Sequence, residues 1–324
     1  MKAIILKEIG SPENLVLQEV PTPIITDTEV LIQVKAIGIN PVDAFVRRTR
    51  EAFNVVYQYT GQETHIILGW DVAGVIVEVG KAVKDFKAGD EVFGNIKFIG
   101  QANGYAEYVA APTVQLALKP GNISFEEAAG ATMAALTAWV SIVKNGKTKR
   151  NDKIIIHGAS GGVGHFAVQI AKHFGSYVIA VGSESNKQFL MELGADEFID
   201  YEKQRFEEIV TDADIVHDAV WSADTNHIDR SLKALKNGGV LLSLVTYPDE
   251  AFKEKAKREK NVTVLRINVT PNDTHQADQK AIAYLLASKE IKTHVSKTFP
   301  FKDMSKAHAA VETKNTIGKI IVKL

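Results

Sequence analysis

A glycine-rich segment lies between an apolar stretch and an amphipathic stretch of the sequence. An apolar strand that enters a glycine-rich turn and continues into a helix brings backbone N–H groups close to a pyrophosphate, because glycine has no side chain to block the approach. The helix N-terminus adds a partial positive charge. The segment therefore predicts a dinucleotide-binding turn, although similar glycine spacings also occur in tight turns that bind nothing. Its residues are Gly158, Ala159, Ser160, Gly161, Gly162, Val163 and Gly164.

The end of the next predicted strand distinguishes NADPH from NADH. Enzymes that use NAD commonly place Asp or Glu there, about 20 residues past the glycines, to bind the ribose 2′-hydroxyl. Here Ser183 follows the strand and Lys187 lies on the next helix. A hydroxyl and a cation suit the 2′-phosphate of NADPH, whereas Glu184 would repel that phosphate in a slightly different register. We predict that the cofactor is NADPH and that it binds more tightly than NADH by roughly tenfold or more.

The elements around this turn alternate between strands and helices. Apolar runs predict strands at 153–157, 176–181, 215–219 and 240–244. Amphipathic runs predict helices at 164–174, 186–193 and 224–235. This alternation predicts an α/β domain with a doubly wound parallel sheet, in which ligands bind at the carboxyl ends of the strands.

The first part of the chain has a different pattern, in which short β-branched runs are separated by glycine, proline and asparagine. These runs, at 30–36, 72–79, 91–94 and 105–110, predict a mostly β, barrel-like unit. Near the C-terminus the pattern predicts helices at 276–288 and 305–313 and a final strand at 319–324. A length of 324 residues suits two domains better than one core.

Composition excludes several kinds of site and partner. The chain has no cysteine, so disulfides, thiolate nucleophiles and cysteine-ligated metals are excluded. The formal net charge of −1 gives no preference for nucleic acid. The N-terminal apolar run is too short for a secretory signal, and no stretch approaches the roughly 18 apolar residues of a membrane span. We therefore expect a cytoplasmic protein that binds neither nucleic acid nor membranes.

Six further segments, together with the glycine-rich turn, resemble the zinc-independent quinone oxidoreductases and alkenal reductases of the medium-chain dehydrogenase/reductase superfamily, the group that includes zeta-crystallin. They follow the usual order and spacing across essentially the whole chain. The segments are AIGINPVD at 36–43, LGWDVAG at 68–74, GDEVFG at 89–94, ALTAW at 135–139, LGAD at 193–196 and GKII at 318–321.

The resemblance implies a GroES-like β-barrel catalytic domain at 1–122 and a Rossmann NADPH-binding domain at 123–265. The segment 266–324 would complete the catalytic domain, and the active site would lie in the cleft. Relatives are commonly dimers, which implies a homodimer. The resemblance also implies cofactor contacts by Asn40, Thr137 and the chain after Leu244 near the nicotinamide, by Tyr201 beside the adenosine phosphate, and more weakly by Lys319.

Zinc alcohol dehydrogenases share this architecture, so the positions of their zinc ligands need comparison. Where those enzymes carry Cys before Gly-Thr-Asp, this chain has Asn40 and Pro41 before Val42 and Asp43. Where they carry Gly-His-Glu, this chain has Gly-Trp-Asp at 69–71. The histidines do not form the local pairs usual at a zinc site. We therefore predict that the protein binds no metal and needs none for activity.

Without a metal, hydrogen-bond donors must stabilise the negative charge that hydride transfer places on a substrate oxygen. The amide of Asn40 can donate such a bond, and the resemblance places it beside the nicotinamide, although Asn-Pro is also an ordinary turn signal. Asp43 is expected to orient this loop. Tyr57 is expected to line the cleft, because Phe45 and Val46 stand where relatives often carry tyrosine.

One aromatic residue departs from the family pattern. Trp221 replaces a glycine that is usual at the end of its strand. The sequence therefore does not predict the shape of the nicotinamide pocket.

The sequence predicts an NADPH-dependent reductase of quinones or α,β-unsaturated aldehydes and ketones. The alternative is a catalytically weak NADPH-binding protein of the same fold, comparable to crystallins or adaptors. The intact glycine-rich turn argues against loss of cofactor binding, and the near-neutral charge argues against an RNA-binding adaptor. The sequence does not identify the physiological substrate.

Overall fold

The computed structural model describes residues 1–220, 226–269 and 276–324. Within these ranges, every helix is too short or too polar to span a bilayer. The strands are β1 (Lys2–Leu6), β2 (Leu15–Glu19), β3 (Glu29–Ile39), β4 (Asp71–Val79), β5 (Glu91–Asn95), β6 (Tyr108–Pro112), β7 (Ala117–Leu118), β8 (Lys153–His157), β9 (Tyr177–Gly182), β10 (Glu197–Asp200), β11 (Ala213–Asp218), β12 (Leu235–Ser243), β13 (Thr263–Arg266), β14 (Val295–Pro300) and β15 (Lys319–Lys323). The helices are α1 (Pro41–Arg48), α2 (Arg50–Ala52), α3 (Phe125–Gly130), α4 (Met133–Trp139), α5 (Gly164–His173), α6 (Lys187–Glu192), α7 (Phe206–Ile209), α8 (Asn226–Ala234), α9 (Glu250–Lys260), α10 (Gln276–Ala287) and α11 (Met304–Glu312).

Two compact units make up the chain. The first contains Met1–Leu136, Thr270–Lys289 and Thr293–Leu324, and the second contains Thr137–Val269 and Glu290–Lys292. The first unit thus extends past residue 122, where the sequence predicts a domain boundary. The reason is that α3, capped by Ser124 through a reciprocal bond with Glu127, packs on β3, β4 and β15.

The second unit is built on a six-stranded sheet in the order β10-β9-β8-β11-β12-β13, with every neighbouring pair parallel. The chain starts in the middle at β8, moves outward to β10, and then returns to the other side at β11, which is the doubly wound order. The sheet buries an apolar core that includes Ile155, Ile179 and Val216. The prediction of a doubly wound parallel sheet is confirmed.

The first unit contains a seven-stranded sheet with the path β14-β15-β3-β4-β5-β7, and β6 also pairs with β3. The pairs β15–β3, β3–β4 and β4–β5 are antiparallel. Two glycines allow α3 to lie close to this sheet. A Cβ on Gly38 would stand 2.5 Å from the Ala129 carbonyl oxygen, and a Cβ on Gly130 would stand 2.7 Å from a Thr293 methyl carbon. The C-terminal strand is therefore an integral part of the first unit.

Candidate functional site

The glycine-rich turn connects β8 to α5 in the second unit. Gly158 has φ of +80°, which L-residues rarely adopt, and a Cβ on Gly164 would lie 2.2 Å from the Gly158 carbonyl oxygen. A Cβ on Gly161 would meet only that same oxygen, at 3.4 Å. The backbone therefore requires glycine at positions 158 and 164, and Gly161 leaves open space above the turn. A pyrophosphate could approach the backbone here as the sequence predicts.

The residues predicted to bind the 2′-phosphate lie together where β9 and β10 end. Ser183 directly follows β9, Lys187 begins α6, and Tyr201 directly follows β10. The Tyr201 N–H donates to the Gly182 carbonyl at 3.2 Å, so the two strand ends are joined. The side chains of Lys187 and Tyr201 are both more than half exposed. A ligand can therefore reach this group of hydroxyls and ammonium.

Lys203 is a further cation at the ends of β9 and β10, and the sequence pattern did not point to it. Its ammonium lies 3.3 Å from one carboxylate oxygen of Glu184, and the Lys187 ammonium lies 3.9 Å from the other oxygen. Hydrogen bonds to Asp200 and Glu184 raise the pKa of Lys203. Glu184, which would disfavour a 2′-phosphate, thus lies near two lysines, and Lys203 also pairs with Asp200 at 3.2 Å. The only sequence signal for Lys203 is its spacing of two residues from Tyr201.

Two other predicted cofactor contacts also lie in the second unit. Thr137 is half-buried on α4, and Leu244 is half-buried directly after β12. The Leu244 N–H donates to the Asp218 carbonyl at 2.9 Å, which holds it beside the end of β11. Their contact with a nicotinamide stays a prediction. Trp221 lies outside the described residues.

Four polar residues form a row across one edge of the sheet in the first unit. They come from four adjacent strand ends: Lys319 begins β15, Asn40 follows β3, Asp71 begins β4 and Asn95 ends β5. The Asn40 Nδ2 donates to an Asp71 carboxylate oxygen at 2.7 Å, and Asn95 donates to the other oxygen at 2.8 Å. The Lys319 ammonium donates to the Asn40 Oδ1 and, at 3.2 Å, to the Ile39 carbonyl.

The row fixes the orientation of the Asn40 amide. A lysine ammonium can only donate, so the amide oxygen must face Lys319, and an ionised Asp71 can only accept, so the amide nitrogen must face Asp71. Asn40, Asp71 and Lys319 are all buried, with at most 5% of each residue exposed. The amide is therefore held in one orientation in a site with little water.

Asp43 ties this row to a second set of buried groups. One carboxylate oxygen accepts the backbone N–H of Asn40 at 2.7 Å, which closes the first turn of α1. Burial raises the pKa of the Tyr105 hydroxyl, and the Asp43 carboxylate contributes to this shift. The Tyr105 hydroxyl lies 2.9 Å from Nε2 of His308, and Nδ1 of His308 accepts a hydrogen bond from Arg47 at 3.2 Å. The sequence pattern pointed to Asp43 but to neither Tyr105 nor His308.

The direction of these bonds follows from donor and acceptor chemistry. Because arginine only donates, Nδ1 of His308 accepts, and the hydrogen of the neutral ring lies on Nε2. Burial and the Arg47 charge lower the pKa of His308 to about 3, so the ring is neutral. The ring therefore donates to the Tyr105 oxygen. Arg47 is itself paired with Glu312 at 2.7 Å.

Burial and neighbouring charges shift the pKa values of Asp43 and Lys319. Burial, helped by the Asp71 carboxylate, raises the pKa of Asp43 to about 7, although the Asn40 N–H and the Lys319 charge oppose this shift. Burial lowers the pKa of Lys319, although both carboxylates oppose that shift. Two carboxylates and one ammonium carry a net charge of −1 when all are ionised, and a proton on Asp43 neutralises it.

Asp43→Asn is expected to stabilise the protein relative to wild type increasingly as pH rises from about 4 to 7. The pKa of Asp43 is about 7 in the folded protein and about 3.9 in an unfolded chain. In this window the folded wild type binds a proton that the unfolded chain lacks, so it loses stability as pH rises, by at most about 1.4 kcal/mol per pH unit. The variant lacks this titration. Thermal unfolding of both proteins from pH 4 to 8 checks it; parallel curves would contradict it.

Tyr57 lies in the first unit on a short π-helical segment, Phe53–Tyr57, and 1% of it is exposed. Its ring stacks on Phe53 with centroids 5.0 Å apart, and burial raises its pKa to about 12. Its hydroxyl makes no hydrogen bond within the described ranges. The structure therefore places Tyr57 in the apolar core, whereas it brings Asn40, Asp43 and Lys319 together. A role of Tyr57 in the reaction stays a prediction.

Metal ligands are not grouped in the described part of the chain. No three of its His, Asp and Glu side chains are arranged so that they could hold a metal ion. At the position compared with the zinc enzymes, Trp70 is buried, donates to the Gly100 carbonyl at 2.8 Å and packs edge-on against Phe98. The prediction that activity needs no metal remains to be tested.

Comparison with known proteins identifies the family. Residues 26–121 match the model of the alcohol dehydrogenase GroES-like domain, and residues 193–322 match that of zinc-binding dehydrogenases. The chloroplastic NADPH-dependent alkenal/one oxidoreductase of Arabidopsis thaliana is 34% identical, over 99% of this chain and 79% of that protein. The quinone oxidoreductase of Pongo abelii is 28% identical, over 100% of this chain and 98% of that protein.

Solved structures agree with this result. The crystal structure of the Escherichia coli quinone oxidoreductase in complex with NADPH covers 100% of both chains with a TM-score of 0.85 and 26% identity. The fold class predicted from the sequence, a GroES-like domain with a Rossmann domain, is confirmed. The chain belongs to the medium-chain dehydrogenase/reductase family, in the branch of the quinone oxidoreductases and alkenal reductases.

Proposed function

We propose that the protein is an NADPH-dependent, zinc-independent oxidoreductase that reduces quinones or α,β-unsaturated carbonyl compounds. The observation that carries the proposal is the buried Asn40 amide, which is held in one orientation by Lys319 and Asp71. One of its N–H groups binds Asp71, and the other can donate to an acceptor oxygen. The names of the alkenal/one oxidoreductase and of the quinone oxidoreductase support this substrate class.

The residues of the second unit fit NADPH. The turn at 158–164 leaves room for a pyrophosphate at the start of α5, and Ser183, Lys187 and Tyr201 can bind a 2′-phosphate. Lys203 and Lys187 offset the charge of Glu184. NADPH would supply the hydride, and the protein would hold the acceptor and stabilise the charge that forms on its oxygen.

The donors in the row suit an acceptor that spreads negative charge over a conjugated system. Asn40 is a neutral donor, and a neutral donor stabilises a delocalised anion sufficiently when it is preorganised away from water. Asp43 and Asp71 would repel an anion placed directly against them, so Asn40 and the Lys319 charge must outweigh that repulsion. The reduced acceptor then takes a proton from water or from a cleft side chain.

The experiment that tests the proposal follows NADPH absorbance with a simple quinone or a short enone as acceptor. We expect turnover of at least one of them. If the protein binds NADPH but turns over neither acceptor, the alternative function of a catalytically weak NADPH-binding protein is supported instead. A fluorescence titration with NADPH distinguishes this case from loss of cofactor binding.

Lys187→Ala is expected to weaken NADPH binding roughly tenfold, about 1.4 kcal/mol, and to leave NADH binding nearly unchanged. The ammonium would contact only the 2′-phosphate, which NADH lacks. Fluorescence titration with both cofactors measures the two dissociation constants. Lys257→Ala, which removes an exposed lysine from α9 in the same unit, is the control. Equal weakening for NADPH and NADH would place Lys187 away from the 2′-phosphate.

We also propose that the protein is a homodimer, as the family resemblance implies, and that it acts in the cytoplasm. Light scattering in solution tests the oligomeric state.

A further inference from the structure

We propose that Lys319 is a positioning residue that strengthens Asn40 as a hydrogen-bond donor, by placing a positive charge on the oxygen of the Asn40 amide. This inference rests on the proposed function, in which Asn40 donates to the acceptor oxygen. It assigns Lys319 a role within the first unit that differs from the cofactor contact implied by the family resemblance.

The geometry around Lys319 supports this role. Its side chain is almost fully buried, and its ammonium donates to the Asn40 Oδ1 and to the Ile39 carbonyl. The backbone holds the residue in place, because the Lys319 N–H donates to the His294 carbonyl at 2.8 Å. Gly318 has φ of +63°, and a Cβ there would lie 2.2 Å from that same carbonyl oxygen. The turn before Lys319 therefore requires glycine, and it directs the side chain along the row.

Amide chemistry explains how the charge acts. An amide whose oxygen accepts a hydrogen bond from a cation is polarised, and its N–H groups become stronger donors. This effect is large at low dielectric, and Asn40 is 5% exposed. One N–H of the Asn40 amide donates to the Asp71 carboxylate, with 2.7 Å between nitrogen and oxygen. The polarisation therefore strengthens the other N–H as a donor to the substrate. Lys319 thereby supplies a positive charge to the site without contacting the substrate.

Charge balance explains why the ammonium is buried there. Both Asp43 and Asp71 face it and favour its charged form, while burial opposes that form. Removal of Lys319 alone would leave two buried carboxylates without a counter-charge, which destabilises a folded protein. A test must therefore separate loss of activity from loss of folding.

The test is a double-mutant cycle on kcat with NADPH and a short enone, using Lys319→Met, Asn40→Ala and both together. We expect Lys319→Met to lower kcat roughly 10- to 100-fold, with the dissociation constant of NADPH changed less than about twofold. If Lys319 acts through Asn40, the double variant is no slower than Asn40→Ala alone. The proposal would be overturned if the double variant lost kcat by the product of the two single losses. It would also be overturned if Lys319→Met weakened NADPH affinity and left kcat unchanged.

Two further variants control for folding. Lys323→Met removes an exposed lysine of the same strand that pairs with Glu126, and it should leave kcat unchanged. Above pH 7, where Asp43 is ionised, Lys319→Met combined with Asp43→Asn removes one charge of each sign, so it should recover thermal stability there but remain slow. Recovery of kcat together with stability would show that Lys319 only balances charge. If Asn40→Ala itself leaves kcat unchanged, the proposed function fails, whereas loss with Asn40→Ala but not with Lys319→Met refutes only this inference.

Discussion

Asn40→Ala is expected to lower kcat with NADPH and a quinone or enone by roughly 10- to 1000-fold, the scale for loss of one oxyanion donor. The amide is preorganised, since Lys319 and Asp71 hold its two ends before any substrate binds. Alanine removes the donor and leaves a space that water can enter. Steady-state kinetics at saturating NADPH measure the loss. The dissociation constant of NADPH should change little, because the groups that we propose to bind its phosphates lie in the second unit.

A matched control variant separates the effect of the Asn40 donor from the effect of the Asp71 carboxylate that holds it. Asn95→Ala removes the other amide that binds Asp71, at 2.8 Å, but leaves Asn40 in place. We expect a loss with Asn95→Ala that is several-fold smaller than with Asn40→Ala. Equal losses from the two variants would mean that Asp71, and not the Asn40 amide, determines the rate. Thermal unfolding of both variants shows whether either loss reflects unfolding.

Most strands and helices of the second unit could be predicted from the sequence. The predicted strand 153–157 coincides with β8, and the predicted helix 164–174 differs from α5 by one residue at its end. Long periodic runs beside a glycine-rich turn contain enough local information for this. The edge strands β10 and β13 were not predicted, because each has four residues and neither is strongly apolar.

The site in the first unit could be predicted only in part. Family segments drew attention to Asn40, Asp43 and Lys319 separately, but nothing in the sequence shows that the Lys319 ammonium binds the Asn40 amide. That contact joins residues 279 positions apart, and it depends on the pairing of β15 with β3. Tyr105 and His308 gave no signal either, because an isolated tyrosine and histidine in apolar surroundings are usually packing residues.

The charges at the end of β9 show another limit of prediction from the sequence. In the sequence, Glu184 is a complication for NADPH binding, because its distance from the ribose depends on register. The structure pairs Glu184 with Lys187 and Lys203, and Lys203 reaches it from the turn that follows the adjacent strand β10. Charges on neighbouring parallel strands come together only through the sheet order, which a list of local motifs does not contain.

The acceptor that the protein reduces best should be conjugated. With NADPH, we expect a saturated ketone to be turned over at least about 100-fold more slowly than the enone of the same carbon skeleton, a difference of about 2.7 kcal/mol in activation free energy. A saturated ketone places full alkoxide charge on one oxygen, which a metal or a positioned acid normally stabilises. An enone or quinone that receives hydride spreads the charge over several atoms.

The groups around Asn40 make this difference large. The residues that surround it include two carboxylates, of which Asp71 binds the amide directly and Asp43 binds its backbone N–H. A localised alkoxide would be repelled by both, whereas a delocalised enolate places less charge near them. Initial rates with a quinone, the enone and the saturated ketone, each measured with and without EDTA, test this. Faster turnover of the saturated ketone, or loss of activity with EDTA, would show that a group stronger than the Asn40 hydrogen bond, such as a metal or an acid, stabilises the charge on the acceptor oxygen.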